Sequence, residues 1–126
     1  LNTVSASQTV NRIINIFPAT QQAQIRTMLG DSLRAVISQQ LVPRADGNGR
    51  SVAVEVLMNT GAVGSMIRDS KMHQINSAIQ TGHRYGMRLM DQSLMELVEC
   101  GLVLGQDALD LAHDKNSFSR TIGGVV

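Results

Sequence analysis

Aromatic residues are nearly absent. Three stand among 126 positions, Phe17, Tyr85 and Phe118, and there is no tryptophan. A base-stacking surface needs several rings side by side, so single-stranded nucleic acid is disfavoured as a ligand. Cys100 is the one cysteine. It excludes an internal disulfide, and a reducing compartment is the simpler reading. No charge sign dominates, with 11 basic and 10 acidic residues. Five basic and three acidic residues lie up to Thr60, six and seven beyond it. Neither half is a block for a polyanion, so no nucleic-acid partner is expected. No apolar run approaches the roughly 18 residues of a membrane span, so no transmembrane segment is expected. Nor does the start read as a signal peptide. A phosphate-cradling G-x-x-x-x-G-K-[ST] loop is also missing, and neither Lys71 nor Lys115 follows one. The chain by itself is therefore not expected to hydrolyse a nucleotide.

What remains is a globular composition, 43% apolar and 17% charged. It suits one domain or a piece of a larger one, with a core of Leu, Ile, Val, Met and Ala. The chain starts at Leu1 rather than Met, and is read as a fragment. Val10, Ile13, Ile14 and Phe17 recur at helical spacing and predict a helix over Ser5–Phe17, capped by Ser5 or Ser7 and stopped by Pro18. A second helix is expected from about Thr20, its stripe running through Ile25, Leu29, Leu33, Val36 and Ile37. Gly30 interrupts that stripe, which marks a close packing contact.

Ser38–Arg44 and Arg50–Met58 flank Asp46-Gly47-Asn48-Gly49, a tetrapeptide that suits a hairpin turn. Val52, Val54 and Val56 share one face. Leu57 and Met58 break the alternation, as in a strand covered on both sides. Pro43 marks an edge or an early end of the first arm. From Thr60 onward the pattern is helical: Gly61–Asp69, then about Met72 to Gly82, Met87–Cys100 with the stripe Met90, Leu94, Leu97 and Val98, and Gln106–His113. Gly101 sits where a left-handed C-cap belongs. The tail Thr121–Val126 reads as frayed or as a docking strip. Two strands alone make no stable sheet, so the hairpin needs a helix layer or a larger sheet.

Few residues carry an obvious chemistry. His73, His83 and His113 lack the spacing of a zinc site, so no metal is expected. Cys100 reads as a buried small hydrophobe. Asp91, Glu96, Glu99, Asp107, Asp110 and Asp114 read as solvated charge on polar helix faces.

Five stretches in fixed order carry a resemblance. They are Leu1-Asn2-Thr3-Val4-Ser5-Ala6, Ser32-Leu33-Arg34-Ala35-Val36-Ile37-Ser38-Gln39, Asp46-Gly47-Asn48-Gly49-Arg50, Ala62-Val63-Gly64-Ser65-Met66-Ile67-Arg68-Asp69, and Gly86-Met87-Arg88-Leu89-Met90-Asp91-Gln92-Ser93-Leu94. Together they resemble the carboxyl-terminal part of type IV pilus retraction ATPases, the PilT-like branch of the secretion ATPase superfamily. The resemblance implies an α/β parent with a RecA-like P-loop ATPase domain, a PAS-like amino-terminal domain, and a P-loop and acidic boxes upstream of Leu1. The piece itself would be mostly helical with one β-hairpin, α+β in isolation. Residues 1–59 would end the RecA-like core, and 60–126 would form a helical carboxyl-terminal region. The implied parent is a cytoplasmic homo-hexamer, peripheral to the bacterial inner membrane, that meets the membrane platform protein of the pilus. It would use ATP and Mg to drive pilus disassembly and twitching motility. This piece would hold neither tightly.

The resemblance also assigns site residues. Asn2 and Thr3 align with a histidine box, usually Leu-His-Thr, as catalytic-box positions. Asn2 keeps hydrogen-bonding capacity but cannot titrate near neutrality. Ala62–Asp69 resembles the retraction signature Ala-Ile-Arg-Asn-Leu-Ile-Arg-Glu. Ala62, Ile67 and Arg68 match it, and Val63, Met66 and Asp69 are conservative. Gly64 and Ser65 replace an arginine and an asparagine. The helix is expected to be a coupling surface. The other expectation is a free-standing helical interaction module without catalysis, derived from such a motor.

Overall fold

A computed structural model describes residues 5–125. The first helix, α1 (Ala6–Asn15), starts where Ser5 accepts a hydrogen bond from the Gln8 amide at 3.2 Å. Ser5, and not Ser7, is therefore the cap. Val10 and Ile14 point into the core as the stripe predicts. The helix closes two residues ahead of Phe17. Pro18, with its preset φ and no amide to leave unpaired, opens α2 (Ala19–Ser32). Ile25, Leu29 and Leu33 pack on the core, but Val36 and Ile37 do not continue the stripe. They lie in a strand, Val36 inward and Ile37 62% exposed. β-branched residues at Val36 and Ile37 favour the strand, and pairing with a second arm decides it.

That strand, β1 (Ala35–Pro43), begins three residues before the predicted arm and ends at Pro43. It pairs antiparallel with β2 (Arg50–Met58) through the register Ile37↔Val56, Gln39↔Val54 and Leu41↔Val52. Asp46 shapes the turn: its Oδ1 accepts from the Asn48 amide at 2.9 Å. Gly47 and Gly49 take φ of 77° and 92°. One expectation about the sheet fails. Alternation persists to the end of β2, and the sheet is covered on one face only. The inward residues are Ala53, Glu55 and Leu57. Val52 is 48% exposed opposite the equally open Leu41, and Ile37 is exposed on the same face. Helices cover one side alone, so the apolar valine face is the outer one.

Five more helices complete the chain: α3 (Gly61–Arg68), α4 (Ile75–Thr81, entered through a 3-10 turn at Met72–Gln74), α5 (Met90–Glu99), α6 (Gly105–Leu111) and α7 (Lys115–Val125). The helix expected over Met87–Cys100 starts three residues late, because the Arg88 backbone pairs with Val56 instead. Gly101 takes the left-handed geometry, φ 74°, that ends α5. Cys100 is exposed, not buried, since it sits at this helix end off the apolar stripe. Within the described residues the tail from Thr121 is helical. It belongs to α7, whose Ile122 packs on the core. Val126 lies outside the described residues. The whole is mostly helical with one antiparallel hairpin. No helix among the described residues is long and apolar enough to cross a membrane.

Two apolar clusters lie under the hairpin. The first gathers α1, α3 and α4 with Val36, Leu57 and Met87. The second gathers α5, α6 and Phe118 of α7 with Val42, Ala53 and Val103. Glu55 and its cross-strand partner Ser38, both buried, stand between them on the inner face.

Candidate functional site

The signature segment folds as α3 with Asp69 as its C-cap. Thr60 begins it by accepting from the Val63 amide at 3.3 Å. The helix sends its residues in three directions. Val63 and Ile67 are fully buried in the first cluster. Ala62 and half-buried Met66 line a groove of about 770 Å³ that Thr81, Arg84 and Tyr85 border on the other side. The Arg84 guanidinium stands 4.8 Å from the Tyr85 ring centre at the rim, a cation–π distance. Arg68 turns instead to α2, where its Nη1 meets Asp31 Oδ1 at 3.0 Å. Asp69 is exposed.

The contact with α2 is unusually close, and two glycines make it possible. A Cβ built on Gly64 would lie 2.8 Å from the Gly30 carbonyl oxygen, and one built on Gly30 would lie 2.8 Å from that of Gly64. The packing contact expected at Gly30 is therefore real, and its partner is Gly64. Asn59 closes the seam. Its Nδ2 donates to the carbonyls of Gly30 at 3.0 Å and Leu33 at 2.6 Å, the free end of α2. Where the signature has an arginine, this chain has a glycine that another helix backbone covers.

Asn2 and Thr3 lie outside the described residues. Among the described residues, no group of three or more His, Cys, Asp or Glu could hold a metal ion. Two carboxylates tie separate elements together, Glu55 in the buried centre and half-exposed Asp91 at the surface. Glu55, 1% exposed, accepts from the Ala6 amide at 2.7 Å through Oε2 and from the Met90 amide at 3.0 Å through Oε1. The signal was present: an acid on the buried register of an alternating strand. Asp91, expected as solvated charge, accepts from the amides of His113 at 2.8 Å and Asp114 at 3.0 Å. Glu96 pairs with Arg88. A hydrogen bond from Arg88 holds its carboxyl below the usual carboxylate range, against a smaller opposing effect of desolvation.

No family model matches the chain. It is 46% identical over 119 residues to a twitching motility protein of Neisseria gonorrhoeae, covering 94% of this chain and 32% of that protein. It is 41% identical over 118 residues to the type IV pilus retraction ATPase PilT of Pseudomonas aeruginosa, covering 94% of this chain and 34% of the relative. Its fold matches a crystal structure of the pilus retraction motor PilT with bound ADP at a TM-score of 0.83 and 36% identity, over 95% of this chain and 33% of that one. This chain is PilT-like. The PilT-like chain spans about a third of the length of the relatives it matches. Agreement in both sequence and fold covers the signature helix, the hairpin and the helices that follow.

Proposed function

We propose that the PilT-like chain is the carboxyl-terminal part of a hexameric pilus retraction ATPase. It would couple ATP binding and hydrolysis to pilus disassembly and twitching motility. The observation that carries this reading is the match in sequence and fold over nearly the whole chain to retraction motors. The open valine face of the hairpin supports it, since such a face suits a sheet that continues against further protein. In this reading residues 1–59 end a RecA-like core and 60–126 form the helical region beyond it. Asn2 and Thr3 occupy the histidine-box position. Ala62, Met66, Ile67, Arg68 and Asp69 form the coupling helix toward the next protomer and the inner-membrane platform protein. The P-loop, ATP and Mg belong to the rest of the motor, on the cytoplasmic side of the inner membrane.

The test compares the complete gene product with Leu1–Val126 alone. The complete protein should hydrolyse ATP, and the 126-residue chain should show no turnover above background. Turnover by the short chain, or none by the complete one, sinks the reading. Arg68→Ala in the complete protein should leave the hexamer intact and abolish twitching. Normal twitching in that variant removes the coupling role from the helix.

A further inference from the structure

Glu55 is placed where a carboxylate is hard to keep. It is 1% exposed, on the inner face of β2, between the two apolar clusters. Among the described residues no ion pair includes it. A buried charge without compensation is costly, so hydrogen bonds must take the place of water. Two helix starts do so. Oε2 receives the Ala6 amide, the first of α1, and Oε1 receives the Met90 amide, the first of α5. Both are donors that their helices leave unpaired, at the positive end of each helix dipole. Bonds to an ionised acceptor are about twice as strong as neutral ones.

The two helices belong to different clusters. α1 packs in the first and α5 in the second. One side chain therefore joins them. Asp91, in the first turn of α5, extends the join: its two oxygens hold the His113 and Asp114 amides just ahead of α7. Two carboxylates in series connect the start of α1 to the start of α7 through β2 and α5.

We infer that Glu55 is a positioning residue of the motor. It fixes the start of α1 to α5 and, through Asp91, to the carboxyl-terminal helices. This inference rests on the retraction-motor reading for its consequence, though not for its geometry. A local capping residue would steady one helix. A joint steadies two, and its loss is felt at both.

The test uses the complete gene product and two variants, Glu55→Gln and Ser5→Ala. Gln offers one acceptor oxygen and turns an N–H₂ toward the other amide. Hydrogen exchange, read by mass spectrometry on peptides spanning each helix start, should rise about tenfold at both α1 and α5 in Glu55→Gln, the scale of one charge-assisted bond lost. Ser5→Ala, which removes only the α1 cap, should raise exchange at α1 alone. In the same protein Glu55→Gln should lower kcat for ATP roughly tenfold and leave KM within about twofold, the pattern of a misplaced group rather than a lost binding contact. Exchange that rises at α1 only overturns the joint. Exchange that rises at both with kcat unchanged overturns its role in the motor. A wild-type protein without ATP turnover defeats the motor reading, and the exchange comparison then decides the joint by itself. Should Glu55→Gln fail to fold, Glu55→Asp replaces it. Its carboxylate, one methylene shorter, cannot span both amides, so protection retained at both starts overturns the joint.

Discussion

Gly64 shows how much one side chain can decide. On helix propensity alone, Gly64→Ala inside α3 should gain about 1 kcal/mol. The added Cβ would meet the Gly30 carbonyl at 2.8 Å, and backbone cannot swing aside as a side chain can. Overpacking of this kind costs about 1–3 kcal/mol, so the net sign is destabilising. Urea unfolding should give a lower midpoint for Gly64→Ala and a lower one still for Gly64→Arg, the signature residue. A midpoint above wild type would contradict the close crossing. The sequence reading placed a tight contact at Gly30 but could not name its partner, because Gly64 lies on a different helix. In sequence the missing arginine is a departure from the signature. In three dimensions it is the condition for α2 and α3 to touch.

Among the elements, α5 shows how local signals and distant pairing compete. Its apolar stripe was legible, as was the glycine that ends it. Its start was not, because Arg88 is drawn into a bridge with β2 and only residues after Leu89 are free to coil. Arg88 then reaches back to Glu96 and fastens the approach segment to the helix. The hydrogen bond from Arg88 lowers the Glu96 carboxyl, with desolvation opposing it and the charges of Arg88 and His83 assisting. A carboxyl depressed in the folded state contributes stability above its unfolded value, and that contribution is lost as pH falls through the depressed value. Glu96 is largely exposed, so screening keeps the effect below about 1 kcal/mol. Wild type should exceed Glu96→Gln in urea midpoint at neutral pH, and the difference should vanish in acid. A difference that grows in acid would contradict the assignment.

At the scale of the whole molecule, the hairpin separates a packed side from an open one. Ile37, Leu41 and Val52 lie exposed on one face of the two strands, linked by half-buried Val54 and Val56. Contiguous apolar surface of this kind drives association when nothing covers it. The 126-residue chain should therefore self-associate in sedimentation experiments, and the double variant Ile37→Thr, Val52→Thr should shift it toward monomer. A wild-type chain that stays monomeric at high concentration, with the same sedimentation as the variant, would mean that this face carries no adhesive energy.

The sequence by itself determined the parts that depend on near neighbours. A serine cap ahead of α1, the Asp46-Gly47-Asn48-Gly49 turn, the stop at Pro43 and the stripes of α1 and α5 all follow from residues within a few positions of one another. So did the resemblance, since its five stretches are read in linear order. Only tertiary structure decided which face of the hairpin is inward, because Val52, Val54 and Val56 alternate equally well with either side buried. Only tertiary structure put Glu55 between two helix starts and Gly64 against Gly30, since each partner lies 34 or more positions away in the chain. The physical reason is common to all three. Burial and hydrogen bonding reward contacts in space, and a linear pattern records which residues are suited to be buried but not what they are buried against.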